Sequence, residues 1–203
     1  MLGKAHFYKA FLVLIFTLSF GLFSFGQETK EGANPAWQKG NPDAEVRIEV
    51  FNDYQCPTCV TFNKKLIDIL RKYPNEVLII FRNFPLTGTH PKAMSAAKAV
   101  EAAGKQGKFR EMMQLIYKNQ PKWSTSQTAE ADFVKYAKKL GLNIKTFKTD
   151  LGSEAVTSRI NADIERAHAL EVNSTPTIVF NDRILEFSEA LDLEKIIEKE
   201  LSK

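Results

Sequence analysis

The sequence predicts an α/β fold with a block of helices inserted between two parts of one sheet. Three observations carry that expectation. A strand, a helix and a second strand follow one another over residues 46–82, and the hydrophobic period changes at each step. Roughly 80 residues of helical periodicity come next. The chain then returns to a short pair of strands and a terminal helix. Composition agrees with a globular domain rather than a disordered or multi-span chain: of 203 residues, 44% are hydrophobic and 26% charged. No repeat recurs at a fixed period.

Residues 1–26 read as an address. Lys4, His6 and Lys9 precede an uncharged apolar run over residues 10–25. Ser24 and Gly26 are the small residues of a cleavage site, and the chain turns polar at Gln27. That pattern is a secretory signal peptide. The alternative is an uncleaved anchor, although 16 helical residues reach only about 24 Å, short of a ~30 Å hydrocarbon core. No cysteine stands at the junction to carry a lipid. Residues 27–44 form an extension ahead of the first strand. Without Lys4 and Lys9 the net charge of +4 falls by two, and the remaining Lys and Arg are interspersed with Glu and Asp. Such a balance argues against a nucleic-acid binder, which needs a basic stripe.

Val46-Arg47-Ile48-Glu49-Val50-Phe51 alternates and is β-branched, so it reads as a strand. Residues 52–55 make a turn. From Pro57 onward Cys59, Phe62, Leu66, Ile69 and Tyr73 recur at helical spacing, and Pro74 ends the helix. Residues 76–82 form a nearly continuous apolar run, as in a strand buried on both faces. An Ala-rich helix over 93–103 should close with Gly104 at its left-handed C-terminal position. Phe109, Met112, Met113 and Ile116 mark a second helix; Phe133, Ala137 and Leu140 mark a third; Phe147 lies on a short fourth. A long helix covers about 154–170. Residues 177–180 and 184–187 then make a hairpin around an Asn181-Asp182-Arg183 turn, and Ala190, Leu193 and Ile197 make the terminal helix.

The chemistry lies in the only two cysteines, Cys56 and Cys59. Export implies an oxidising compartment. A bridge across Cys56-Pro57-Thr58-Cys59 closes too short a loop to add much stability by loop-closure entropy. Three readings stand beside one another: a redox dithiol, half of a zinc site, and an inert buried pair. A zinc site would need two more ligands, and His90 and His168 lack partners at finger-like spacing. No metal is expected. The dithiol reading has local support. Pro57 suits the first turn of a helix, so Cys56 falls at the helix N-terminus, where free N–H groups favour a thiolate. Cys59 lies one turn deeper on the apolar face. Cys56 is thus the expected nucleophile and Cys59 the resolving thiol.

Further stretches extend the pattern: Phe51-Asn52-Asp53-Tyr54-Gln55 before the cysteines, Phe81-Arg82-Asn83-Phe84-Pro85-Leu86 with His90-Pro91, Gln106-Gly107-Lys108-Phe109, and Val172-Asn173-Ser174-Thr175-Pro176-Thr177. In this order, over about residues 40–200, they resemble the DsbA-like branch of the thioredoxin superfamily, the exported thiol:disulfide oxidoreductases. The resemblance implies a thioredoxin fold with an inserted helical domain: residues 45–88 and 171–203 as the two parts of the thioredoxin fold, 89–170 as the insertion. It implies a cis Pro176 facing the cysteines, with the Thr175 backbone free to pair with an extended substrate. Pro57 and Thr58 would tune the couple. Cysteine-containing exported proteins would be the substrates and a membrane-embedded thiol oxidase the recycling partner; neither cofactor nor nucleic acid is implied, and the chain would act as a monomer.

The chain also departs from that family. A buried carboxylate often stands six residues before the first cysteine; here the position is Val50. Its neighbour Glu49 faces the other way, because one step along a strand reverses the face, and Arg47 or solvent is its expected partner. Thr58 replaces the histidine of the strongest oxidants, and Glu171 and Ser174 replace frequent glycines. His90 is expected to pack or cap locally, His168 to be solvated, and Trp123 to fill the core. The functional expectation is a disulfide-donating oxidase acting through Cys56 and Cys59. The same site run as a reductase or isomerase is the alternative, and isomerase is disfavoured because residues 27–45 are too few for a dimerisation domain. A non-catalytic binding module or metal chaperone is a reading of another class.

Overall fold

The computed structural model describes residues 31–203. The expected signal peptide or anchor over 1–26 lies outside the described residues. The first strand, β1 (Trp37–Gly40), is an edge strand that the sequence pattern did not separate from the extension. It runs antiparallel to β3 (Val77–Asn83). Four residues, Trp-Gln-Lys-Gly, are too few to show a period of two.

β2 (Val46–Asn52), α1 (Pro57–Lys72) and β3 form the strand–helix–strand unit, with β2 and β3 parallel. Register puts Val46, Ile48 and Val50 beside Val77, Ile79 and Phe81. That row packs with Cys59, Phe62, Leu66 and Ile69 of α1 in the main core. The opposite face of the sheet carries Glu49, Phe51 and Arg82, so both faces are covered and every residue of β3 is buried.

Six helices separate β3 from the next strand: α2 (Ala93–Gly104), α3 (Phe109–Lys118), α4 (Gln120–Trp123), α5 (Ala129–Lys139), α6 (Ile144–Leu151) and α7 (Glu154–Ala169). Trp123 is fully buried at their centre, edge-on to Phe133. β4 (Thr177–Phe180) then enters the sheet antiparallel to β2, and β5 (Arg183–Ile184) pairs with β4, giving the order β1-β3-β2-β4-β5. Asn181 and Asp182 both have positive φ, 43° and 66°, as a two-residue hairpin turn requires.

Four local expectations need correction. The second hairpin strand stops at Ile184, because Glu186 and Glu189 form a capping box that starts α8 (Phe187–Leu191) at Phe187. The terminal helix is broken at Asp192, so α9 (Leu193–Glu200) is separate. Gly104 ends α2 without a left-handed φ; Gly107, at φ 75°, takes that conformation. Gly104 is required by space instead, since a Cβ there would meet the Trp37 ring at 2.5 Å. Finally, Glu49 is neither solvated nor paired with Arg47. It is buried under α7, accepting from Arg82 Nε at 2.5 Å and from Arg166 Nη2 at 2.7 Å. Arg82 and Arg166 are distant in sequence, and only the packing of α7 over β2 and β3 brings them to one carboxylate.

Candidate active site

Cys56 is the N-cap residue of α1, in extended conformation, with Pro57 in the first turn. Both thiols are free, and both are buried: Cys56 is 7% exposed and Cys59 is 0%. The helix start aims N–H groups at one sulfur. A hydrogen bond from the Cys59 thiol is the main influence on Cys56; burial opposes it, and the N–H groups of Cys59 and Thr58 and the Thr175 side chain reinforce it. The Cys56 thiol is held down to about 5. Cys59 is pushed well up, first by burial and then by the neighbouring Cys56. One thiol is therefore charged at neutral pH and its neighbour keeps its proton.

The other wall arrives from more than a hundred residues away. α7 ends in a Schellman motif: Val172 N–H donates to Ala167 O at 2.8 Å and Glu171 N–H to His168 O at 3.0 Å, with Glu171 left-handed at φ 58°. This cap turns the chain towards the sheet. The Thr175–Pro176 peptide is cis, and Thr175 O lies 3.4 Å from the Cys56 sulfur. The Thr175 hydroxyl is buried without a conventional partner and favours the charged form of both sulfurs. Pro57 and Thr58 are exposed beside it, and Thr58 lines a cleft of about 560 Å³ with residues 171–178 and Ile184, Leu185 and Phe187. Ile184, Phe187 and the nearby Leu191 are large apolar side chains left open to solvent.

The turn before the cysteines is also built from distant parts. Asp53 is fully buried; its carboxylate accepts from Gln55 N–H at 2.7 Å and Leu86 N–H at 2.9 Å, and pairs with His90 Nδ1 at 2.8 Å. His90 thus anchors the turn rather than capping α2. Gln55 Oε1 accepts from Lys92 N–H, and the Gln120 amide donates to the Tyr54 and Cys56 carbonyls. Sequence reasoning missed Asp53 and Gln120 as parts of the site. The signal available for Asp53 was an Asp three residues ahead of the N-cap Cys56; Gln120 gave none. His168 is exposed against the edge of Phe84, away from this cluster. Val50 lies in the apolar cluster with Cys59, so no carboxylate occupies that place. Among the described residues there is no cluster of metal-binding side chains.

The model of the thioredoxin family, described as "Thioredoxin", matches residues 33–199. The chain belongs to the DsbA-like thiol:disulfide oxidoreductases of the thioredoxin superfamily. This DsbA-like chain is 26% identical to BdbD from Bacillus subtilis, solved oxidised, over 83% of its own length and 94% of that chain, with a TM-score of 0.72. It is 27% identical to a thioredoxin-like oxidoreductase from Silicibacter pomeroyi, over 81% and 92%, with a TM-score of 0.65. It is also 32% identical over 187 residues to a Mycobacterium protein named Na(+)/H(+) antiporter NhaA 1. The DsbA-like chain spans 29% of that relative's length, so the name describes a much longer protein. No helix among the described residues is long and apolar enough to cross a membrane.

Proposed function

We propose that the protein is an exported disulfide donor that oxidises cysteine-containing proteins outside the cytoplasm through Cys56 and Cys59. The observation that carries this reading is the asymmetry of the pair: a thiol held down to about 5 at a helix start, beside one pushed well up by burial. In the oxidised enzyme a substrate thiolate attacks the Cys56 sulfur and the Cys56–Cys59 bond breaks. Cys59 leaves and takes up a proton, in keeping with its raised pKa. A second substrate thiolate then attacks the substrate sulfur of the mixed disulfide, and Cys56 leaves as a stable thiolate. Two electrons pass from the substrate dithiol to the enzyme, which a membrane-embedded thiol oxidase then reoxidises. A low leaving-group pKa speeds that second step and stabilises the reduced enzyme, which is what makes a dithiol oxidising.

The Thr175 backbone beside the cis-Pro176 supports extended pairing with the substrate, and the open apolar side chains of Ile184 and Phe187 suit a segment that is still unfolded. Pro57 and Thr58, exposed next to the sulfur, are the positions that tune the couple. The same pair run as a reductase or isomerase is the second reading, favoured only by the absence of a histidine at Thr58. Trapping tests the role split. Cys59→Ser should accumulate mixed disulfides with substrate proteins at Cys56, whereas Cys56→Ser should accumulate none. Equal accumulation by both variants contradicts it.

A further inference from the structure

One buried amide ties the helical block to the residue that carries the exchanging sulfur. Gln120 Nε2 donates to Tyr54 O at 2.9 Å and to Cys56 O at 3.0 Å. An amide nitrogen has two hydrogens, and both are committed here. Gln120 is 7% exposed, so water has little access to replace it. The side chain is held in turn by its own helix. Trp123, three residues on, is fully buried and donates from Nε1 to Ile116 O at 2.7 Å. Asn119 O accepts from the N–H groups of Lys122 and Trp123. A fixed point in the helical block therefore grips the backbone of the site from 64 residues away.

The grip falls on a peptide group that matters electrostatically. Cys56 O belongs to the N-cap of α1, and the orientation of that residue decides whether its sulfur lies over the N–H groups of Thr58 and Cys59. Within the turn Cys56 N–H donates to Asp53 O at 3.2 Å. Of the side-chain and backbone links that reach the turn from residues 90–120, His90 to Asp53 and Lys92 N–H to Gln55 hold neighbouring residues, and Gln120 holds the Cys56 carbonyl. With its partner gone, the buried carbonyl is left one donor short, and rotation to find another would swing the sulfur off the helix start. The disulfide carries no charge at that sulfur and is indifferent to much of this. The thiolate is not.

Resting on the reading of Cys56 as the exchanging thiol, we propose that Gln120 is a positioning residue through which the helical block sets the ionisation and the reduction potential of the Cys56–Cys59 couple. It touches no substrate; it acts by holding Cys56.

The test compares wild type with Gln120→Met, which keeps the length and removes both donors, and Gln120→Glu, which keeps the shape and is an acceptor when ionised. Three readouts are taken: thiolate absorbance against pH in the reduced protein, the equilibrium with glutathione, and denaturant unfolding of the reduced and oxidised forms. Both variants should ionise at higher pH than wild type. Their glutathione equilibrium should move three- to tenfold towards the disulfide, tenfold being about 30 mV for two electrons. The reduced form should lose more stability than the oxidised form, by the same factor. If one variant does not fold, the other carries the comparison. Equal loss in both redox forms, with equilibrium and ionisation within a factor of two of wild type, overturns the proposal and leaves Gln120 a structural residue. A wild-type Cys56 that ionises at the free-thiol value overturns it differently, by removing the reading on which it rests.

Discussion

Ionisation of Cys56 at about 5 changes how many protons accompany reduction. Reduction adds two electrons. Above about pH 5 only Cys59 takes up a proton, so the potential should fall by about 30 mV per pH unit; below it both thiols do, and the slope should steepen to about 60 mV. A potential measured from pH 4 to 8 against a buffered couple should therefore bend near 5. An unbroken 60 mV slope across neutral pH would place both pKa values high and contradict the asymmetry. The same linkage fixes the sign for stability. The folded pKa is depressed below the free value of ~8.5, so the gain is complete above ~8.5, fades as pH falls, and is gone below about 5. It belongs to the reduced form alone. Cys56 and Cys59 were singled out by a short local string, and Thr175 and Pro176 by the family resemblance. Asp53, His90 and Gln120 were harder, since their partners are backbone groups or residues 33 to 66 positions away.

Glu49 shows what a strand conceals. Alternation along β2 told which way it points but not what α7 would lay over it. Burial raises its carboxyl, and hydrogen bonds from Arg166 and Arg82 outweigh that and hold it below its ordinary value. A depressed folded pKa adds stability that is complete above the unfolded value of ~4.3 and lost as pH falls through the folded one. Glu49→Ala should cost about 3 kcal/mol at pH 7, the cost of stranding buried partners, and less at pH 3. Denaturant unfolding at the two pH values measures this, and an equal cost at both would refute the ion-pair account. The cap of α7 invites the opposite change. Glu171 is left-handed, a conformation that costs a side chain roughly 1–2 kcal/mol. Glu171→Gly should raise stability by roughly 0.5–1 kcal/mol after its larger unfolded-state entropy is deducted. A loss of stability would mean that the Glu171 side chain contributes something its backbone geometry does not require.

Across the whole molecule, β2, α1 and β3 present the two cysteines at one end of a sheet, and the chain travels through six helices before β4 brings Thr175 to within 3.4 Å of the first sulfur. The order of these elements, apart from the four-residue α4, was readable from period changes alone, because long amphipathic helices and buried strands repeat their signal. β1 was too short to repeat any, and the break at Asp192 depends on a local cap rather than on periodicity. Whether Cys56 and Cys59 form an oxidising couple is decided by equilibrating the purified protein with mixtures of reduced and oxidised glutathione and counting alkylated thiols. The potential should lie between about −120 and −270 mV, the DsbA and thioredoxin values, because the helix start stabilises the Cys56 thiolate while Thr58 adds no positive charge. A potential at or below about −270 mV would contradict it and make the pair a reductant.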